Sequence, residues 1–233
     1  MDFSQAFQNI QSSVVNVLAL NVQNNPISSG SGVIIGDGSL VLTCAHCIIP
    51  NTTTIARFSG ANTGQIATVV FQDQQSDIAL LHFQQPIGSS ATIRSSSSVL
   101  VGHEAFVVGF PNHIDKITAL SANIAGFEPD NGFDLIRLDA SVNHGNSGGP
   151  LFNAHGELIG IVNAKHGSLS NFLQQIKNTQ TTAMLSVGGI NPIKAIQQLI
   201  SEMQLNLNLG IGYAIPTDYI GTLNGQVRSL IQS

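Results

Sequence analysis

The chain has 233 residues, of which 9% are charged, and a formal net charge of −5. That length suffices for one large β domain or two small ones with well-buried cores. The few Lys and Arg are scattered and leave no basic footprint for nucleic acid, and no apolar run reaches the length of a membrane span, so neither nucleic acid nor membrane is an expected partner.

Phe3, Phe7 and Ile10 have helical spacing, so Phe3 to Gln11 is predicted as a short N-terminal helix. From Ser13 onward short β-branched runs alternate with turn clusters: Asn24-Asn25-Pro26, Gly36-Asp37-Gly38, Ser59-Gly60-Ala61-Asn62, Gly88-Ser89-Ser90 and Pro129-Asp130-Asn131-Gly132. That pattern reads as antiparallel β-barrels. Val41-Leu42 reads as a strand end leading into Thr43-Cys44-Ala45-His46-Cys47, and Asp77 stands alone before the buried-looking strand Ile78-Ala79-Leu80-Leu81. The serine-rich segment Ser95 to Ser98 precedes Val99-Leu100-Val101-Gly102, so the crossing between barrels is expected within about residues 90–106. This divides the chain into 1–98, with His46 and Asp77, and 99–233, with Ser147. A site would form in the cleft between them.

His144-Gly145-Asn146-Ser147-Gly148-Gly149-Pro150 puts a serine among small, turn-forming residues, where backbone amides can surround a developing negative charge. A serine hydroxyl is a weak nucleophile unless a base takes its proton, and the base needs a carboxylate to fix its tautomer. His46 and Asp77 are the candidates. Taken singly, His46 could be a satisfied core histidine, Asp77 a turn residue and Ser147 one serine among many. The order His, Asp, Ser belongs to the chymotrypsin arrangement and excludes those of subtilisin and the α/β-hydrolases. The other histidines are assigned no chemistry; His144 is read as a cleft-edge residue. Cys44 and Cys47 could suggest a redox pair or half a zinc site. No second ligand cluster has suitable spacing, so they read as two small buried hydrophobes, and neither metal nor cofactor is expected.

Several segments carry a resemblance. Ser13-Val14-Val15-Asn16-Val17, Ser29-Gly30-Ser31-Gly32-Val33-Ile34-Ile35, Leu138-Asp139-Ala140-Ser141-Val142-Asn143, the serine loop and Gly212-Tyr213-Ala214-Ile215-Pro216-Thr217-Asp218 occur in the order found in trypsin-like serine proteases, most closely the HtrA/Deg protease domain. The resemblance implies an all-β, chymotrypsin-like fold of two six-stranded antiparallel barrels with a C-terminal helix, Thr217 to Ile231, and no PDZ-like domain after it. It implies a serine endopeptidase acting on proteins or peptides through His46, Asp77 and Ser147, with the amides of Gly145 and Ser147 as oxyanion hole. Ser141 would lie at the base of the primary pocket, walled by Val162-Asn163-Ala164 and by Gly210 to Tyr213, Gly212 included. An uncharged floor cannot pair Lys or Arg, so small or medium apolar residues are the expected preference. A non-catalytic binding module and an esterase or acyltransferase remain the alternatives.

Other features depart from related patterns. Asn146 stands where secreted zymogens use an Asp to pair a newly cut N-terminus, so that switch is not expected. Cys47 lies where secreted relatives have a bridged cysteine, yet the facing Ser31-Gly32-Val33 has none. Two cysteines build no disulfide framework, and Met1-Asp2-Phe3-Ser4 lacks a signal-peptide pattern, so the expected location is cytoplasmic. Between Ala164 and Gly210 lies an insertion of roughly 45 residues, 165–209. Asn191-Pro192 followed by Ile193, Ile196, Leu199, Ile200 and Met203 predicts a helix with an N-cap and proline at its first position. Ser170, Phe172, Leu173 and Ile176 suggest a shorter one. The insertion is either an ornament on the second barrel or a lid, a regulatory-partner surface or a homo-oligomer contact.

Overall fold

Short β-branched strands with apolar residues on both faces need a partner on each side, and the computed structural model of the chain supplies one. The structure describes residues 2–111, 115–164, 176, 191–206 and 210–231, with backbone alone over 201–206. The first sheet consists of β1 (Val14–Leu20), β2 (Pro26–Ile35), β3 (Leu40–Cys44), β4 (Thr53–Arg57), β5 (Gln65–Ile66), β6 (Thr68–Asp73) and β7 (Ile78–His82). They run antiparallel in the order β5-β4-β1-β2-β3-β7-β6. The second consists of β8 (Glu104–Gly109), β9 (Thr118–Asp130), β10 (Phe133–Leu138), β11 (Pro150–Asn153), β12 (Leu158–Val162) and β13 (Gly212–Pro216). It closes into a barrel in the order β10-β13-β12-β11-β8-β9.

The fold is therefore the expected mostly-β, chymotrypsin-like pair, with one difference in detail. The first sheet has seven strands and is a curled half-barrel, with β5 and β6 at its edges. β5 pairs with β4 through only two residues, Gln65 and Ile66, too short a ladder to carry the closure on to β6.

Alternation along the strands sorts the side chains into three cores. Val15, Val17, Ile34, Val41, Leu81 and Phe83 fill the first sheet's own concave face. Ala105, Val107, Ile124, Ile136, Leu138 and Leu151 fill the barrel. Between them runs a seam in which Val33, Leu42, Ile78 and Leu80 of the first sheet meet Phe106, Val108, Phe152 and Ile161 of the second. Burying one such large side chain contributes about 1.5–3 kcal/mol. The seam explains why Ile78 to Leu81 reads as a continuous apolar run: both its faces are buried.

Helix α1 (Ser4–Ile10) brings Phe3 onto Phe106, rings stacked 4.7 Å apart. Helix α2 (Pro192–Asn206) begins as its sequence predicts, with Asn191 Oδ1 accepting from the amides of Ile193 and Lys194 at 3.0 and 3.1 Å. Ile200 is buried, whereas Ile196 and Leu199 are exposed. The shorter helix proposed around Phe172 and Leu173 lies outside the described residues except for Ile176, whose carbonyl accepts from Gln197 Nε2 at 3.1 Å. The C-terminal stretch is two helices rather than one, α3 (Thr217–Leu223) and α4 (Gly225–Ile231). Asn224 breaks it by capping the second, its Oδ1 accepting from Gln226 at 2.9 Å and Val227 at 3.3 Å.

Candidate active site

The two sheets meet where β3 ends. His46 sits on a single 3-10 turn, Ala45–Cys47, directly after β3. Asp77 occupies the turn between β6 and β7 in a left-handed backbone conformation, φ 58°, which Asp tolerates better than most residues. Its carbonyl accepts from the Ala45 amide at 3.0 Å. Its carboxylate reaches His46 twice: Oδ1 accepts from the backbone amide at 2.9 Å, and Oδ2 lies 2.6 Å from Nδ1. A carboxylate only accepts, so this contact places the proton on Nδ1 and leaves Nε2 with its lone pair in the neutral ring. Oδ2 also accepts from Asn163 Nδ2 at 3.1 Å.

The serine loop comes from the second sheet. It is two consecutive turns, closed by the amide of Asn146 on Asn143 O at 3.0 Å and that of Gly149 on Asn146 O at 2.9 Å. The third residues of these turns, Gly145 and Gly148, have φ of 92° and 82°, while His144 and Ser147 do not have positive φ, which makes both turns type II. Gly148 donates to Val162 O at 2.9 Å. Among the described residues no acceptor takes the amides of Gly145 and Ser147. Ser147 Oγ accepts from the amide of Ala164 at 3.1 Å, and among the described residues no hydrogen bond joins it to His46. The site thus holds an oriented imidazole, a serine hydroxyl and two unclaimed amides on one loop, the donor set that acyl transfer requires.

Residues 30–161, more than half of the chain, match the trypsin-like peptidase domain. The chain belongs to the trypsin-like peptidase family. It is 30% identical over 213 residues to the periplasmic serine endoprotease DegP of Escherichia coli (strain K12), a match covering 88% of this chain and 37% of that protein. It is 34% identical over 191 residues to Protease Do-like 2, chloroplastic, of Arabidopsis thaliana, covering 77% and 28% respectively. The solved structure of the HtrA-type protease AlgW with tripeptide shares the fold, with a TM-score of 0.66 at 24% identity, covering 94% of this chain and 61% of its own. The chain spans less than half the length of the curated relatives it matches.

Within this trypsin-like domain the residues expected around the primary pocket are placed differently from one another. Ser141 is solvent-exposed, and it is the buried Val142 that packs beneath Gly212, where an added Cβ would stand 2.5 Å from Val142 Cγ2. Val162 turns its side chain into the barrel core. Asn163 aims at Asp77 instead of walling a pocket, and its backbone amide donates to Tyr213 O at 2.9 Å. Ala164 meets Ser147 through its backbone. Tyr213 pairs across the ladder with Arg137, and its hydroxyl is held above the usual phenol range by burial and by Glu128.

The thiols also have definite tasks. Cys44 Sγ donates to Val162 O at 3.3 Å and Cys47 Sγ to Ser147 O at 3.6 Å, so both tie the first sheet to the second. Cys44, His46 and Asp77 have ligand atoms within 4.8 Å of one another, with Cys44 Sγ bonded to Val162 O and His46 Nδ1 to Asp77 Oδ2. The position facing Cys47 is Gly30, one residue before the segment expected from sequence, where a Cβ would overlap Cys47 Sγ. Sequence reasoning did not anticipate Asn163 on Asp77, nor the bonds that Ser31 and Thr43 make. A hydroxyl inside an apolar strand was the available signal, because a buried hydroxyl needs partners.

Proposed function

We propose that this chain is a serine endopeptidase that cuts peptide bonds through Ser147, His46 and Asp77 by way of an acyl-enzyme. The observation that carries the reading is the 2.6 Å contact between His46 and Asp77 on one sheet, facing a serine loop with two unclaimed amides on the other. On binding substrate, the Ser147 hydroxyl turns from the Ala164 amide toward His46. Oγ attacks the scissile carbonyl carbon and its proton passes to His46 Nε2. The carbonyl oxygen, now anionic, accepts from Gly145 and Ser147, each such donor contributing about 3–4 kcal/mol in the transition state. The intermediate collapses, the C–N bond breaks, and His46 returns the proton to the leaving amine. Water then attacks the acyl-enzyme with His46 again as base, releasing the acid and restoring Ser147. Asp77 stabilises the imidazolium at both proton transfers.

Ser141 and Gly212, expected at the primary pocket, favour small or medium apolar side chains at the cleavage site, since neither offers a counter-charge to Lys or Arg. Exposed Ile196 and Leu199 on α2 support a contact surface for a partner or a second copy. Two buried cysteines that act as hydrogen-bond donors fit a reducing compartment, although the DegP relative is named periplasmic. A peptide library digested by the wild type and by Ser147→Ala tests the activity and its preference. Cleavage after Val, Ala, Ile, Leu or Thr, absent in the variant, is the expected result. Cleavage chiefly after Arg or Lys would overturn the preference, and ester turnover without peptide cleavage would overturn the endopeptidase reading.

A further inference from the structure

Ser31 is fully buried in β2, at the seam between the sheets. Every polar atom it has is used there. Its amide donates to Ser147 O at 2.8 Å. Its hydroxyl donates to Gly145 O at 2.6 Å and accepts from the Phe110 amide at 2.9 Å. Its carbonyl accepts from the Thr43 hydroxyl at 2.7 Å. Among the described residues the amides of Gly145 and Ser147 have no acceptor, and each of these residues has its carbonyl tied to Ser31 of the opposite sheet, Ser147 O accepting from Cys47 Sγ as well. A fixed carbonyl fixes the peptide plane that contains its own Cα, and the amide nitrogen bonded to that Cα keeps only the rotation about the Cα–C bond.

The surrounding backbone is shaped to fit. A Cβ at Gly109 would stand 2.6 Å from Ser31 Oγ, and one at Gly148 would overlap Ser31 O. The neighbouring Asn146 side chain is buried yet has no hydrogen-bond partner among the described residues, so it adds no anchor to the loop.

Resting on the reading of Ser147 as nucleophile, we propose that Ser31 is the positioning residue of the oxyanion hole: its hydroxyl holds Gly145, its amide holds Ser147, and together they set the spacing of the two donors. Ser31→Ala removes the side-chain tie and keeps the backbone one. For variant and wild type, kcat and KM on a fluorogenic peptide are measured, with the pH profile of kcat/KM and the affinity of a peptide aldehyde, whose tetrahedral adduct places its oxygen in the hole. The expected result is a loss of about tenfold or more in kcat and in aldehyde affinity, with KM within about twofold. The pH profile keeps its shape, because the His46–Asp77 contact is untouched. Ser31→Cys, which keeps a weaker donor at the same place, falls between the two, and it carries the test if Ser31→Ala does not fold. Unchanged kcat and aldehyde affinity in a folded variant, or a change in KM alone, would overturn the proposal. A wild type inert toward both peptides and serine-directed phosphonates would instead overturn the underlying reading of Ser147.

Discussion

Asp77 joins two demands that rarely coincide in one residue. Its backbone sits at φ 58°, a region open to Asp and Asn at small cost and closed to most other side chains, while its carboxylate must accept from both the ring and the amide of His46. Asp77→Asn meets the first demand and fails the second. The amide keeps the turn but removes the charge that stabilises an imidazolium and fixes the Nδ1 tautomer. The variant is expected to melt within a few degrees of the wild type while kcat falls by about 10⁴-fold. Thermal melts beside peptide hydrolysis check this, and a variant keeping a tenth of the activity would contradict the role given to the carboxylate.

The turn between β6 and β7 that presents Asp77 is itself held by a neighbour. Ser76 donates to Asp73 from its hydroxyl and, at 3.0 Å, from its amide. The hydroxyl bond first, then the amide bond, holds the Asp73 carboxyl below its ordinary value of 3.8. A carboxyl lowered by folding stabilises the fold above its ordinary value and loses that contribution as the pH falls through the lowered one. Ser76→Ala should therefore be less stable than the wild type at neutral pH, with the difference narrowing as the pH drops below 3.8. Urea unfolding across that range measures it; a difference that widens on acidification would be the wrong sign. Helix α2 separates into two faces in the same way. Ile200 is 4% exposed, whereas Ile196 and Leu199 are 49% and 56% exposed. Ile200→Lys should cost about 2–5 kcal/mol of packing and change peptide turnover through the loop ends at Ala164 and Gly210. Ile196→Glu with Leu199→Glu should leave the melting temperature unchanged. A double variant that melts as early as Ile200→Lys would show that the outer face is also docked.

At the scale of the molecule, the candidate site is a property of the seam. Neither sheet alone holds both His46 and Ser147, and the bonds from Ser31, Cys44 and Cys47 to Gly145, Val162 and Ser147 fix one sheet against the other. Much of this was legible in the sequence. Period-two apolar runs between turn clusters announce two β units, and the order of His46, Asp77 and Ser147 follows from motifs that are local in the chain. The strand count of the first sheet was not legible, because Gln65-Ile66 is too short to leave a pattern. The break at Asn224 was hidden by apolar residues that continue on both sides of it. The position opposite Cys47 is Gly30, one residue before Ser31-Gly32-Val33, and a shift of one residue in a strand exchanges one face for the other. The bonds of Ser31 depend on a loop 114 residues away, a distance over which no spacing rule reaches.

If the loop at Ser147 carries an activated nucleophile, a fluorophosphonate labels it covalently, and peptide mass spectrometry locates the adduct. One adduct per chain is expected, on Ser147, absent from Ser147→Ala and strongly slowed in His46→Ala. Equal labelling of Ser147→Ala and wild type, or an adduct on another residue, would contradict it.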